Sequence, residues 1–301
     1  MATLYTQQDK NVRKTWVLMS VFLIVIVLLG WFISFFYQDP AILYFAVFFS
    51  VIMNIGSYWY SDKIVLRLSR ARPIEKSENP VLYTIVENLA ITAGLPMPAL
   101  YIIDDPAPNA FATGRDKNHA AVAVTSGLLK MMSRAELEGV LAHELSHVGN
   151  RDILISTVVV VLVGFVSILS HMFLRFGGLG GRRREGADGR LGVVLMIVGI
   201  VFTILSPLIA TLIKLSISRK RESLADASGA LLTRYPAGLA SALEKIGHYG
   251  KRMQVANPAI AHLFIANPFG EDQDDGPNFL EKLFMTHPPI EERVRALRAM
   301  E

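Results

Sequence analysis

His143 and His147 stand four residues apart in the run His143-Glu144-Leu145-Ser146-His147. At 3.6 residues per turn, side chains so spaced leave a helix on one face, about one turn apart. Two imidazoles presented in this way can meet on one zinc ion, each at about 2.0–2.1 Å. Glu144 points to the side of the pair, where it can reach a water and act as a general base. A hydrolytic site of this kind needs a third protein ligand and one open position. Glu222, in "SRKRESLADASGALL", offers that ligand, and Asp226 follows four residues later on the same expected helix. From there Asp226 can accept a hydrogen bond from the far nitrogen of a ligating histidine and fix its tautomer. Ala225, Ala227, Ser228, Gly229 and Ala230 keep this helix thin, which permits close packing on the first. The bland alternatives are surface histidines on an amphipathic helix and an ordinary charged helix face. Leu137, Val140, Leu141 and Leu145 mark the histidine helix as packed instead.

The elements that must carry these residues are readable on either side of them. Ser133-Arg134-Ala135-Glu136 has the form of a capping box and opens a helix through about Val148. Upstream, Asn79 is a helix cap, Pro80 takes the first turn, and Val81, Leu82, Ile85, Val86 and Leu89 form an apolar stripe closed by Gly94. "ALYIIDD" and "AAVAVTSG" are short β-type runs bounded by Pro, Asp and Gly. From Ser218 the pattern is helical again, "ANPFGEDQDDGPNF" is a polar loop, and a short charged helix follows Pro289. His119, His171, His248 and His262 have no partnered spacing and read as ordinary residues.

Composition places this site beside a bilayer. Of 301 residues, 52% are hydrophobic and only 19% charged, so apolar runs of spanning length are expected. Four occur, at about 16–36, 41–60, 153–173 and 191–213. The first two make a hairpin turning at Gln38-Asp39-Pro40, with Tyr58, Trp59 and Tyr60 at the level of an interfacial belt. The expected organisation is a hairpin over 1–60, the first half of a water-side domain over 61–152, a second hairpin over 153–213, and the domain's second half over 214–301. Lys10, Arg13 and Lys14 before the first run, and Lys63, Arg67, Arg70, Arg72 and Lys76 after the second, put both flanks in the cytoplasm. Arg175, Arg182, Arg183, Arg184 and Arg190, between the third and fourth runs, disfavour an outside loop there, so either the early hairpin dominates the topology or the later pair does not fully cross; four spans are the expectation. The net charge of +4 comes from basic residues beside apolar runs, which suits anionic headgroups and gives no nucleic-acid footprint. With no cysteine, disulfides, thiolate zinc sites and cysteine nucleophiles are excluded.

Four motifs, "HELSH" (143–147), "ESLAD" (222–226), "NAFATG" (109–114) and "THPP" (286–289), together resemble the HtpX group of membrane-bound zinc endopeptidases, related to the CAAX prenyl proteases. The order of motifs and apolar pairs matches along nearly the whole chain. The resemblance implies a multi-pass α-helical membrane protein carrying a mostly helical, α+β, gluzincin-type domain. One zinc ion would be held by His143, His147 and Glu222, with Glu144 activating the water. Asn109, Ala110 and Phe111 would help shape the substrate cleft, where a peptide could add to a strand edge. His287 would donate to the oxyanion, with Arg293 a second candidate for the cleft and for that role. The implied substrates are misfolded or damaged membrane proteins, met on the cytoplasmic face of a bacterial-type inner membrane. A scaffold or chaperone-like protein with a structural metal site is the alternative; three ligands beside an acidic base argue against it. A transporter, prompted by Lys214 and His171, rests on two isolated residues.

Overall fold

The structure, a computed structural model, describes residues 4–162, 164, 219–257, 259–270 and 288–301. Helices α1 (Leu4–Tyr37) and α2 (Pro40–Leu68) pair as a hairpin. Asp39 caps α2 by accepting from the Ala41 N–H at 2.9 Å, with Pro40 in the first turn. The two backbones nearly touch at Gly30, where a Cβ would fall 2.2 Å from that of Ala46. Both helices are long and apolar enough to cross a membrane. Their surface is inside out for a water-soluble protein: Phe45, Phe48, Ile52, Ile55 and Trp59 of α2 are exposed, while Ser50, Asn54, Ser57 and Ser61 are buried. Small and polar residues at a helix interface with apolar residues outside is the arrangement that lipid favours.

Both helices outrun their apolar segments. α2 continues past Tyr60 to Leu68, and α1 starts at Leu4, well before Trp16. These extensions reach the sheet and the helices around it, so the hairpin shares their packing. Val65 and Leu66 of α2 sit in the same core cluster as Phe111, Ala121 and Ala123 of the sheet.

That sheet has four strands, β1 (Arg72–Pro73), β2 (Ala99–Ile103), β3 (Ala110–Gly114) and β4 (Ala120–Thr125), in the order β1-β2-β4-β3. β2 and β4 run parallel, and the two outer pairs are antiparallel. Helix α3 (Pro80–Ala93) is capped by Asn79 and closed by Gly94. After the short α4 (Ser126–Met131) comes α5 (Arg134–Gly149), opened by the full Ser133/Glu136 capping box. α6 (Asp152–Leu162) leaves α5 at 82° through Arg151, whose φ is +57°. α7 (Arg219–Thr233), α8 (Pro236–Tyr249), a 3₁₀ turn (Ala261–Leu263) and α9 (Ile290–Arg298) complete the described elements.

The sheet is buried on both faces. Ala110, Ala112, Ala120, Val122 and Val124 pack in one core cluster with Leu82, Ile85 and Leu141. Phe111, Ala121 and Ala123 pack in another with Phe264 and Val160. Strand β3 is poor in β-branched residues, and its pairing with β4 was not evident from composition; tertiary burial sets it. Of the second apolar pair, the segment to Leu162 is α6, wedged beside Leu18, Met19 and Phe22 of α1. Apart from Gly164, the rest of that run and the whole of 191–213 lie outside the described residues.

Candidate metal centre

Helices α5 and α7 pack against each other at Gly229, where a Cβ would lie 3.0 Å from the His143 backbone nitrogen. Only a residue without a side chain lets the helices approach this closely. His143 Nε2 and His147 Nε2 are thereby 3.1 Å apart, facing the Glu222 carboxylate at 3.8 and 3.6 Å respectively. Their ligating atoms all fall within 4.8 Å of one another. Two ligands of a tetrahedral zinc lie about 3.3 Å apart given bonds of 2.0–2.1 Å, so the separation suits such an ion.

The tautomers agree with this. His143 Nδ1 lies 2.9 Å from Asp226 Oδ1, and His147 Nδ1 lies 3.0 Å from Asp152 Oδ2. A proton on each Nδ1, donated to its carboxylate, leaves the lone pair of each Nε2 aimed at the shared point. With both Nε2 atoms unprotonated, two lone pairs and a carboxylate converge on one point, a contact that a divalent cation would relieve. The donor set therefore fits a divalent metal of the zinc class.

Around these donors lies a second tier. Asp226 is gripped by both ends of the Arg293 guanidinium, Nε to Oδ2 at 2.9 Å and Nη2 to Oδ1 at 2.7 Å. Burial opposes the Asp226 charge, but Arg293 and His143 outweigh it and hold the carboxyl well below the usual range. Arg293 also donates Nη1 to the Ile265 carbonyl at 3.2 Å, so three of its five N–H groups serve support. On the other side, burial works against a charged His147, yet Asp152, Glu222 and Glu144 raise it to about 9. This pile of negative charge is what a cation would neutralise.

Glu144 lines the same cavity, of about 30 Å³, room for an ion and a water. Its wall includes Ala112, Ser156, His262 and Ile265. Asn109 clamps the start of β3, its Nδ2 donating to the Ala266 carbonyl at 3.0 Å and its Oδ1 accepting from the Ala266 N–H at 3.2 Å. The Ala110 carbonyl accepts from Ile265 N–H at 2.9 Å, outward from the sheet. At the far end, Gly114 N–H points to Thr157 Oγ1 at 3.5 Å. Antiparallel pairing alternates, so Ala112, between these two, also turns its N–H and C=O away from β4 and towards the cavity. Phe111, grouped by sequence with the cleft, points to the opposite face and stacks edge-on with Phe264 at 5.1 Å, because strand side chains alternate. His287 lies outside the described residues.

Asp152 and His262, both in the wall of this cavity, are not legible as site residues in the sequence. Asp152, at the head of an apolar run, showed only as a boundary charge, and its five-residue offset from His147 belongs to no helical face. His262 had no partnered spacing because its neighbours in space are more than a hundred positions away, as with Ser156, whose carbonyl is 3.3 Å from its Nε2.

Comparison with known proteins agrees with the geometry. The profile described as "Peptidase family M48" matches residues 76–301. A "Protease HtpX homolog" of Caldanaerobacter subterraneus subsp. tengcongensis is 45% identical over 302 residues, covering 99% of this chain and 98% of the relative. Another, from Thermoanaerobacter pseudethanolicus, is 47% identical over the same shares. Among solved structures, S. mikatae Ste24p shares the fold, with a TM-score of 0.51 at 20% identity, over 97% of this chain and 67% of that one. With these matches and a His-His-Glu centre in place, the chain belongs to peptidase family M48, among the membrane metallopeptidases of the HtpX type.

Proposed function

We propose that this chain is a zinc endopeptidase that cuts misfolded or damaged membrane proteins at the cytoplasmic surface of a bacterial-type inner membrane. The observation that carries it is the placement of Glu144, at 2% exposure, in the cavity that His143, His147, Glu222 and the Ala112 edge of β3 also line. His143, His147 and Glu222 would hold one zinc, which when bound supplies Lewis-acid polarisation of the scissile carbonyl and of the attacking water. Glu144 takes the proton from that water as it adds to the carbonyl carbon, then delivers it to the leaving amine. Ala112 offers one outward N–H and C=O to the substrate backbone, so binding is tolerant of side-chain sequence. That tolerance suits a protease whose substrates share damage and not a motif. Asp226 and Asp152 hold the two imidazoles, and Arg293 holds Asp226; we assign Arg293 this part in place of the oxyanion. His287 is the donor proposed for the oxyanion.

The test uses the full chain in detergent with an unfolded protein such as casein. Glu144→Gln is expected to retain stoichiometric zinc and lose cleavage by at least about 10²–10⁴-fold, the usual worth of a general base. Cleavage within tenfold of the parent would remove Glu144 from this role.

A further inference from the structure

The residues supporting the metal centre extend into the first membrane helix. Where α5 ends, its last carbonyls have no partners within the helix. Those of Gly149 and Asn150 accept hydrogen bonds from α1 side chains, Gln8 Nε2 at 2.6 Å and Asn11 Nδ2 at 3.0 Å. Asn11 does more than cap. The same Nδ2 donates to Asp152 Oδ1 at 2.7 Å, on the carboxylate whose other oxygen meets His147. Its Oδ1 accepts from Arg221 Nη1 at 3.4 Å, and Arg221 Nε stands 3.5 Å from Asp152 Oδ1. Arg221 directly precedes Glu222 on α7. One buried amide, 2% exposed, thus touches the supports of two ligands on two different helices.

Resting on the reading of His143, His147 and Glu222 as the metal site, we propose that Asn11 is a positioning residue of the metal centre: through Asp152 it fixes the His147 ring, and through Arg221 it registers the Glu222 helix. The family profile begins at residue 76, so this member of the site lies outside the domain by which the family is recognised. The consequence is mechanical. Any shift of α1 in the bilayer moves Asn11 relative to Asp152, and with it the aim of His147 Nε2.

The experiment measures zinc affinity of the full chain in detergent by competition with a chromogenic chelator, and records the visible spectrum of the cobalt(II) form. Asp152→Asn is expected to weaken zinc about 10–100-fold, as outer-shell partners do, and Asn11→Leu about 10-fold with altered cobalt bands. Because one of the two routes runs through Asp152, Asn11→Leu should cost clearly less zinc affinity in the Asp152→Asn background than in the parent, the remainder passing through Arg221. Gln8→Leu, which removes a cap but touches no ligand support, should stay within about twofold of the parent with unchanged bands. Zinc affinity of Asn11→Leu within twofold of the parent overturns the proposal, as does the same loss in both backgrounds or an equal effect of Gln8→Leu. Should Asn11→Leu not fold, Asn11→Ser, whose single hydroxyl cannot serve all three partners, gives the same comparison. A parent chain that takes up neither zinc nor cobalt overturns the metal-site reading itself, and the parent measurement alone identifies that case.

Discussion

A carboxylate at the start of the metal helix shows how one residue ties two levels of structure together. Glu136 closes the capping box by accepting from the Ser133 N–H at 2.8 Å, and it also accepts from Ser241 Oγ at 2.6 Å and Lys245 Nζ at 2.7 Å on α8. Burial opposes its charge, but these donors, Lys245 foremost, pull it down to about 2. A depressed carboxylate contributes stability that is complete above its unfolded value, 4.5, and is lost as pH falls through the folded one. Lys245 is partly exposed, so solvent screens the pair, and Glu136→Gln should cost about 1–2 kcal/mol at pH 7. The cost should shrink as pH falls from 4.5 to about 2. Thermal unfolding in detergent at pH 7 and pH 3 reads this, and a gap that widens on acidification would contradict it. The capping half of this residue's role was visible in the Ser-x-x-Glu spacing; the α8 half was not, because Ser241 and Lys245 lie over a hundred positions away.

Among the elements, β3 has the sharpest consequence. Its outward edge is used by Ile265 at one end and Thr157 at the other, leaving Ala112 between them facing the cavity. Proline is tolerated on an edge strand where its missing N–H would have pointed outward. Ala112→Pro is therefore expected to fold and bind zinc while kcat/KM for a peptide falls about 10-fold or more, one substrate hydrogen bond being lost at a buried edge. Retained kcat/KM together with retained zinc would show that substrate does not pair with this edge. In the sequence, "NAFATG" stands out as a motif but not as a strand. The strand within it, Ala110–Gly114, is mostly Ala and Gly and has weak β propensity, the register with β4 is set by burial, and the Asn109 clamp to Ala266 is long-range.

On the scale of the whole molecule, the hairpin is fastened to the domain from both helices, α1 through Gln8 and Asn11 and α2 through Val65 and Leu66. Arg115, in the β3–β4 turn, also stacks over Trp59 at 4.5 Å, at the aromatic level of α2. All three tryptophans of the chain, Trp16, Trp31 and Trp59, are on the hairpin and more than half exposed. In vesicles containing brominated lipids, intrinsic fluorescence should be strongly quenched; emission unchanged from unbrominated vesicles would remove the hairpin from the bilayer. The chain has no cysteine, so a single Glu75→Cys on the domain side reports orientation cleanly. With Lys10, Arg13, Lys14, Lys63 and Arg67 on that same side, labelling by an impermeant maleimide is expected only after cells are opened. Labelling of intact cells would reverse the orientation.

The sequence by itself determined the local features. A four-residue spacing must put His143 and His147 on one helix face, a capping box must start that helix, and two long charge-free runs must seek lipid, since each follows from backbone periodicity or transfer energy over a short window. The small residues from Ala225 to Ala230 even foretold a thin helix. Asp226 is also legible from its spacing to Glu222, but the tertiary structure decided the rest of what surrounds the metal donors. Asp152 on His147, Arg293 on Asp226, Asn11 bridging to Arg221 and His262 in the cavity wall are partners set by how helices cross, not by spacing along the chain. Buried polar groups need such partners, and a compact fold finds them wherever backbones approach, which no single segment encodes.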